Sequence, residues 1–375
     1  MDVFGYLEKF GKNSFRKSKF KETDSLIFSQ LSYIKFERIF SVVAKGRKFV
    51  PLTDFLKLED KQVLFEGTSN PAKYEALWNA VMASRRFSTL QIGLVREVFN
   101  VEKDVQFMAM TFKSEDWTRY IVFRGTDGTL CGWKEDCNLC ILKEIPAQLE
   151  AAKYVDEVVS WALFPFNIIG HSKGGNLAEY AALKMKKRYG RRLKGVYNHD
   201  GPGFDKPMIF DQDVLKDLMP KFHKVVPGES VIGMLLTQLH DYKVVLAETS
   251  EFFQHSIFYW MIDDSTGDLV ELEDRSAASK STEKYIKDLL DPLPLGDRII
   301  IVAGLFEGLS YGGRTTIYEI FNLSKIEMLK IFGRVFVKYD NSTKLLLLKY
   351  AFEFIKFKFA ANEKAKTEFI RKKNA

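Results

Sequence analysis

A serine between two glycines, at the junction of an apolar run and an alanine-containing segment, is the feature of the sequence that most clearly carries chemistry. The segment 166–176 contains Gly170-His171-Ser172-Lys173-Gly174. A Gly-x-Ser-x-Gly turn between a strand and a helix lifts the serine hydroxyl above the sheet edge and holds it at the helix N-terminus. Small residues are needed at Gly170 and Gly174 because the turn brings their backbones close to the strand and the helix. The pattern predicts Ser172 as a nucleophile; the alternative is a glycine-rich turn with an ordinary helix-capping serine.

A serine nucleophile needs a base held by an acid, which hydrolases with this elbow carry in the chain order Ser, acid, His. Among five histidines, His255 alone follows the last predicted strand of the alternating region, on a loop, which is where such a fold places its base. His171 lies inside the elbow and is expected to point away from the nucleophile. The sequence therefore predicts His255 as the base.

Two carboxylates compete for the role of the acid. Asp200 ends a predicted strand and precedes the turn Gly201-Pro202-Gly203, whereas Glu229 follows the next strand. Asp200 could instead only cap its turn, and Glu229 could only supply a charge at a helix N-terminus. We favour Asp200, because a carboxylate fixed at a strand end by a rigid turn is better pre-organised.

The oxyanion of an acyl-transfer intermediate needs hydrogen-bond donors from two places. The backbone amide of Lys173, directly after the nucleophile, is one expected donor. The apolar run Tyr120–Phe123 is followed by Arg124-Gly125-Thr126, and Thr126 is the second expected donor. The polar loop 132–136 follows, and its charges could simply pair, Arg124 with Asp136.

These candidate residues lie in a region where apolar strand-like runs alternate with helical patterns, which is typical of an α/β fold with a parallel sheet and crossover helices on both faces. Helical patterns also flank this region on both sides. The predicted strands are 106–112, 120–123, 166–170, 194–199, 222–226 and 242–247. One helix is predicted to begin near residue 23. Five further helices are predicted over 71–99, 145–159, 174–192, 213–219 and 230–239.

The composition excludes several classes of protein. Of the 375 residues, 46% are hydrophobic and 28% charged, which is globular and not disordered or fibrous. The three cysteines all lie in 131–140; they cannot form a disulfide framework, and Cys-x-x-Cys without a second pair predicts no metal site and no cofactor. The sequence has no apolar run of the roughly 18 residues that a membrane span needs, and its start lacks the signal-peptide pattern. A cytoplasmic protein is expected.

The net charge of +7 is unevenly distributed. Residues 321–375 contain 13 Lys and Arg against 5 Asp and Glu, which leaves 43 against 44 for residues 1–320. A nucleic-acid-binding protein needs a basic face on its folded body, so no nucleic-acid partner is expected. The basic C-terminal segment is interpreted as a solvated amphipathic helix with a basic tail, or else as a helix that makes peripheral contact with a membrane.

The same patterns divide the chain into three parts. Residues 1–22 are a basic segment that is expected to be poorly ordered, and residues 23–265 form the catalytic domain. Residues 266–375 are a mainly helical region. Its role is left open between a lid, a membrane-docking element and a structural flank.

Taken together, four motifs resemble those of an uncharacterised family of bacterial α/β-hydrolases related to the class 3 (fungal-type) lipases. They are Arg124-Gly125-Thr126, Gly132-Trp133-Lys134-Glu135-Asp136, the elbow with its following Gly175-Asn176, and Asp200-Gly201-Pro202-Gly203-Phe204, with Gln254-His255 as a further match. The resemblance covers about residues 24–260.

This resemblance implies an α/β-hydrolase fold with a serine triad, in which Ser172 is the nucleophile, His255 the base and Thr126 an oxyanion residue. It leaves the acid open. Class 3 lipases carry it in an Asp-x-Val after the next strand, where this chain has Glu229-Ser230-Val231 with Glu in place of Asp. The segment at Asp200 is similar instead to the Asp-Pro-x-x-Pro of pancreatic-type lipases.

The leading functional hypothesis is a serine esterase or lipase that cleaves a carboxylic ester. The 32 phenylalanines favour an acyl or otherwise apolar substrate, unless they all lie in the core. The alternative is a binding or scaffold protein with little or no activity on the same fold.

Overall fold

The central feature of the computed structural model, which describes residues 1–160, 163–205, 210–249 and 251–356, is one nine-stranded sheet whose strands follow each other in chain order. The strands are β1 (Phe49–Pro51), β2 (Gln91–Asn100), β3 (Val105–Lys113), β4 (Arg119–Phe123), β5 (Phe166–His171), β6 (Leu193–His199), β7 (Phe222–Pro227), β8 (Lys243–Val245) and β9 (Glu271–Leu272).

The sheet is mixed. Strands β4 to β8 run parallel to their neighbours, whereas β1 to β4 and the pair β8–β9 are antiparallel. The α/β class predicted from the sequence is confirmed, but the expectation of a mainly parallel sheet is only half right. Its parallel half carries the carboxyl ends of β5, β6 and β7 at one edge, where the predicted site residues begin.

Helices cover both faces of this sheet. They are α1 (Val3–Phe10), α2 (Glu22–Leu31), α3 (Phe40–Ala44), α4 (Pro71–Ala83), α5 (Arg85–Ser88), α6 (Leu130–Asn138), α7 (Pro146–Ser160), α8 (Lys173–Lys184), α9 (Gln212–Leu218), α10 (Ala277–Leu290), α11 (Leu295–Leu309), α12 (Ile317–Phe321) and α13 (Lys325–Phe336); residues 341–356 are also helical. No helix within the described ranges has the length and hydropathy to cross a membrane.

Alternation along the strands builds two cores. In β5, Ile169 packs with α2 and α4 on one side of the sheet, whereas Ile168 packs with α7 and α8 on the other. Val122 and Ile121 of β4 divide in the same way. Because successive strand residues face opposite sides, a strand that is apolar throughout fills both cores at once.

The N-terminal segment is an integral part of the first core, so the expectation that residues 1–22 are poorly ordered is wrong. Val3 and Tyr6 of α1 are fully buried there. Arg86 explains the order. Its guanidinium forms a buried ion pair with Asp24 (2.5 Å) and donates hydrogen bonds to the backbone carbonyls of Ser18 and Lys19. A guanidinium with five donors can fasten such a segment at several points.

Two helix predictions fail in part. The pattern assigned to one helix over 71–99 contains α4, α5 and then strand β2, whose residues pair with β3 over nearly their whole length. Residues 230–239, predicted as a helix, contain only a short 3₁₀ turn at Ile232–Met234.

A third apolar cluster lies in the C-terminal region. Helices α11 to α13 and the helical residues 341–356 contribute Leu309, Ile320, Phe332 and Leu347, which pack with Leu130 of α6. The amide of Ile317 donates to the carbonyl of Gly128, and the amide of Leu130 donates to the carbonyl of Thr315. The region is thereby joined to the loop that follows β4, which is next to the candidate site.

Candidate active site

Ser172 lies at the junction of β5 and α8 with φ 58° and ψ −133°, a conformation that is strained for a residue with a side chain. The two flanking glycines explain how the chain makes this turn. A Cβ at Gly170 would lie 2.0 Å from the carbonyl oxygen of Gly174, and a Cβ at Gly174 would lie 2.3 Å from the carbonyl oxygen of Phe123. The turn places Ser172 at the N-terminus of α8, where the helix dipole stabilises a developing negative charge.

His255 and Asp200 meet beside this turn, although 55 positions separate them. The Nδ1 atom of His255 lies 2.7 Å from Oδ2 of Asp200, whose carboxylate is fully buried at the end of β6. The other carboxylate oxygen accepts a hydrogen bond of 2.5 Å from the hydroxyl of Ser230. His255 and Ser172 line one pocket. The contact with Asp200 is thus made by Nδ1 and not by Nε2.

Glu229, the competing acid, lies elsewhere in the same loop cluster. Its backbone amide donates to Oε1 of Gln254 at 2.9 Å, and its side chain is half-buried. The structure thus brings Asp200 to the imidazole of His255.

His171 fixes the backbone of His255. Its Nε2 lies 2.7 Å from the carbonyl oxygen of His255, and its Nδ1 lies 2.8 Å from the hydroxyl of Tyr33. Because a carbonyl only accepts, Nε2 carries the proton and Tyr33 donates to Nδ1. Burial holds the pKa of His171 well below its usual range, which keeps the ring neutral. His171 therefore lines the pocket with Ser172 and supports His255, and the expectation that it points away from the nucleophile stays a prediction.

The other three histidines have structural surroundings. His199 is fully buried between the hydroxyls of Ser25 and Ser29, each at 2.8 Å, and burial lowers its pKa to about 3. His223 lies 3.8 Å from Glu22. His240 forms a buried contact of 3.0 Å with Glu179 of α8.

The His240–Glu179 contact predicts a pH-dependent stability. Burial opposes the charge on His240, but the hydrogen bond and charge of Glu179 outweigh it and raise the pKa of His240. A raised histidine pKa stabilises the fold below the unfolded value of about 6.5, and this contribution is lost as the pH rises through the folded pKa. We expect His240→Ala to lower the free energy of unfolding by on the order of 3 kcal/mol at pH 6, and by less at pH 9.

Denaturant unfolding at the two pH values measures this prediction, and turnover per folded molecule is the second readout. His240 does not line the pocket of Ser172, so that turnover should stay within twofold. A pH-independent loss of stability would contradict the ion pair, and a loss of turnover would mean that His240, and not His255, serves the nucleophile.

The loop after β4 is held by the segment Gly132–Asp136. The hydroxyl of Thr126 donates to Oδ2 of Asp136 at 2.5 Å. Burial raises the pKa of Asp136 to about 6, so this acceptor is charged at neutral pH and becomes protonated in mild acid. A Cβ on Gly125 would lie 3.0 Å from Cβ of Ser172, which shows how closely this loop approaches the elbow.

Lys173 ties the elbow to the same segment. Its ammonium is buried and lies 2.9 Å from Oε2 of Glu135, with two further bonds of 2.9 Å to the backbone and side chain of Gln106. Glu135 also accepts from the amides of Gln106 and Ala147. The lysine side chain is thus an anchor, and its backbone amide begins α8 next to Ser172.

Arg124 does not pair with Asp136, the pairing that was considered from the sequence. Its guanidinium lies 2.7 Å from Glu37 and 3.5 Å from Glu97. These two contacts hold Arg124 against the N-terminal region and β2, and Oδ2 of Asp136 accepts from Thr126 instead.

The pocket that contains Ser172 has a volume of about 500 Å³. One part of its wall is apolar and combines segments that are far apart in the sequence. A second part is polar and comes from residues 30–74. The apolar part consists of Trp133, Leu139, Ile232, Leu236, Phe253, Ile317 and Phe321, and the polar part includes Gln30, Tyr33, Lys35, Thr68 and Ser69.

The cysteines do not form a metal centre within the described residues, where no group of three or more His, Cys, Asp and Glu side chains could hold an ion. All three are free thiols, and Cys137 and Cys140 line the pocket. Burial raises the pKa of Cys131 to about 11, so this thiol stays protonated.

Several pocket residues could not be found from the sequence. Tyr33 follows α2, and its position in the sequence is also that of one more apolar residue of this helix. Helix α12, which contributes Ile317 and Phe321 to the pocket, lies more than a hundred residues beyond the elbow. No local motif marks either segment. Lys35 offers only a weak signal, a cation next to an apolar pair.

Comparison with known proteins finds one family and, among solved structures, two lipases. The profile of the Mbeg1-like family matches residues 81–307, and no curated protein sequence matches the chain. Among solved structures, M37 lipase is 13% identical with a TM-score of 0.37, over 75% of this chain and 97% of the lipase. A triacylglycerol lipase from Penicillium expansum is 10% identical with a TM-score of 0.30, over 44% of this chain and 72% of the lipase. The family match spans more than half of the sequence, so the chain belongs to the Mbeg1-like family.

Proposed function

We propose that this chain is a serine hydrolase that cleaves carboxylic esters, with Ser172 as nucleophile, His255 as base and Asp200 as the acid. The observation that carries the proposal is the contact of 2.7 Å between His255 and the buried Asp200, beside a serine held in a strained strand-to-helix turn. Strained backbone is retained where the surrounding structure over-determines it, and functional sites are where it clusters.

The chemistry follows from these positions. The hydroxyl oxygen of Ser172 attacks the ester carbonyl carbon while its proton passes to Nε2 of His255. Asp200 holds Nδ1–H and stabilises the imidazolium. Collapse of the intermediate breaks the bond to the alcohol, which leaves with the proton from His255. Water then gives a proton to His255 and attacks the carbonyl carbon of the acyl-enzyme. The bond to the Ser172 oxygen breaks, His255 returns the proton to that oxygen, and the carboxylic acid product leaves.

The negative charge of the intermediate requires donors, and the backbone amides of Thr126 and Lys173 are the ones we propose. Lys173 supplies the first amide of α8, and Thr126 belongs to the loop after β4, whose Gly125 lies close to the elbow. The buried bonds of Glu135 and Asp136 support the positions of both. Such pre-organisation matters because donors that need no reorientation stabilise the transition state without cost at the moment of reaction.

The apolar wall of the pocket supports an acyl substrate. Trp133, Phe253 and Phe321 can cover a hydrocarbon chain, while the carbonyl lies at Ser172. A chain of this kind is recognised by the removal of its surface from water, at about 0.8 kcal/mol per methylene group. We therefore expect kcat/KM to rise with acyl length until the pocket is filled.

A fluorophosphonate probe tests the proposal directly, because it forms a covalent bond only with an activated serine. We expect labelling of the wild-type protein at Ser172, which peptide mass spectrometry would locate, and turnover of p-nitrophenyl esters graded by acyl length. No labelling and no turnover would favour a binding or scaffold protein on the same fold.

A peripheral membrane contact and a cytoplasmic location stay predictions. Leu345 and Phe352 of the last helical segment are 70% and 50% exposed, which suits an interfacial helix, and the basic tail beyond residue 356 lies outside the described residues. Sedimentation with anionic vesicles would test the contact.

A further inference from the structure

Two hydrogen-bond donors lie at the polar part of the pocket wall, and both belong to side chains that are almost fully buried. Gln30, in the last turn of α2, is 2% exposed, and Lys35, just before the 3₁₀ turn Phe36–Arg38, is 7% exposed. Both residues line the pocket that contains Ser172. Burying an amide and an ammonium group costs free energy unless each finds a partner.

Neither donor group has a partner among the described residues. Oε1 of Gln30 accepts from the hydroxyl of Tyr74 at 3.0 Å, but its Nε2 takes part in no hydrogen bond there, and Nζ of Lys35 takes part in no hydrogen bond or ion pair. Neither atom is among the fully enclosed polar atoms without a partner. Both residues therefore keep a small accessible area, and both line the pocket of Ser172.

The other buried lysines are different. Nζ of Lys173 is saturated by Glu135 and Gln106, and Nζ of Lys224 donates to the carbonyl of Gly201 and to Gln238. Among the described residues, Lys35 is therefore the buried lysine whose donors the protein leaves unoccupied.

The carboxylates of Glu37 and Asp127 lie near enough to Lys35 to favour its charged form, but neither makes a hydrogen bond or ion pair with its Nζ. Glu37 is paired with Arg124 at 2.7 Å, and Arg38 lies 3.9 Å from Glu66. Asp127 faces the same pocket, but its Oδ1 accepts from the amide and hydroxyl of Thr129. Burial, with the nearby charge of Arg124, lowers the pKa of Lys35 to about 8, so the ammonium remains mainly protonated at pH 7 and a bound anion would stabilise it.

We propose that Lys35 and Gln30 bind an anionic oxygen group, such as a phosphate, on the alcohol part of the ester, while the acyl chain lies along the apolar wall. This inference rests on the proposed function and narrows it to esters that combine an apolar acyl chain with an anionic leaving group. Charge-assisted hydrogen bonds to Nζ of Lys35 and a neutral bond to Nε2 of Gln30 would replace the water that both groups lose on burial.

A matched pair of substrates tests it: octanoylglycerol and octanoylglycerol phosphate, which share the acyl chain and differ in the phosphate. We expect the wild-type protein to prefer the phosphate ester in kcat/KM. Lys35→Met should reduce this preference by at least about tenfold, through KM, which is the scale for a hydrogen bond to a charged group. Lys35→Arg should restore most of it, and Lys61→Met, a change at an exposed lysine, should leave it intact. An equal effect of Lys35→Met on both esters would overturn the inference.

Binding to the Ser172→Ala protein separates this inference from the proposed function. There the dissociation constant of octanoylglycerol phosphate should be at least about tenfold lower than that of octanoylglycerol, and Lys35→Met should remove the difference. Equal dissociation constants, in a protein whose wild-type form reacts with the fluorophosphonate, would refute the anion site alone. A third outcome is that inorganic phosphate inhibits the enzyme in a Lys35-dependent way, while the two esters are used equally well. The site would then bind a free anion, and the inference that the anionic group is part of the ester would be overturned.

Discussion

Ser172→Ala should reduce ester turnover to the background rate, a loss on the order of 10⁶ in kcat if the site works like other serine triads. The change removes the oxygen that attacks the carbonyl and leaves the elbow as it is, because alanine can occupy the same strained backbone with the same Cβ. The hydroxyl makes no cap hydrogen bond to α8. The free energy of unfolding should therefore change by no more than about 1 kcal/mol.

Turnover of the best p-nitrophenyl ester and thermal unfolding measure the two parts of this prediction. Ser41→Ala, at an exposed serine, is the matched control and should leave both unchanged. Residual turnover within tenfold of the wild type would remove the elbow from the mechanism, whatever the geometry around it.

Local sequence patterns were sufficient to predict the strands that carry the candidate site residues. Strands β4, β5, β6 and β7 lie where short apolar runs predicted them, because a buried strand needs such a run and the turns that bound it are marked by glycine, proline and polar residues. The elbow is equally local, since five consecutive residues determine its geometry. Asp200 is favoured as the acid because a tight turn after a strand fixes a carboxylate, and its rank above Glu229 stays a prediction.

The predictions that were wrong share a cause. In each case the structure of a segment is determined by a contact with residues far away in the sequence. Residues 91–99 carry apolar side chains at spacings that also suit a helix, and only pairing with β3 decides for a strand. The N-terminal segment has a basic, soluble composition, but it is ordered by Arg86, more than sixty positions away. Tyr33 and His171 are separated by 138 positions. A pocket wall assembled from such segments has no signature in any one of them.

Asp200→Asn should lower kcat by several decades, about 10⁴ in the serine-protease precedent, while the protein stays folded. The two oxygens of Asp200 have different partners, since Oδ1 accepts from Ser230 and Oδ2 lies against Nδ1 of His255. In the asparagine variant the oxygen is retained by the Ser230 hydroxyl, because an amide nitrogen there would face another donor. The amide nitrogen is then directed at Nδ1 of His255.

This orientation has a definite chemical consequence. An amide nitrogen donates, so Nδ1 must accept, and the proton of the neutral imidazole moves to Nε2. The base then presents a proton to Ser172 where it should take one, and the charge that stabilises the imidazolium is absent as well. Glu229→Gln makes the same chemical change at the competing position, where the backbone amide and not the carboxylate makes the described contact with Gln254. We expect it to lower kcat by less than about tenfold, the scale for a charge near a helix start.

The comparison of the two variants at equal folded concentration decides between the acids, and thermal unfolding controls for the loss of structure. The reverse ranking would assign the acid to Glu229, at the position that corresponds to the Asp-x-Val of class 3 lipases. Small and equal losses would mean that the imidazole does not need a carboxylate. Since a serine at pH 7 is a poor nucleophile without a base, the turnover that persists in both variants would then depend on Ser172 and His255 alone, which would refute the three-residue triad but not the proposed hydrolysis.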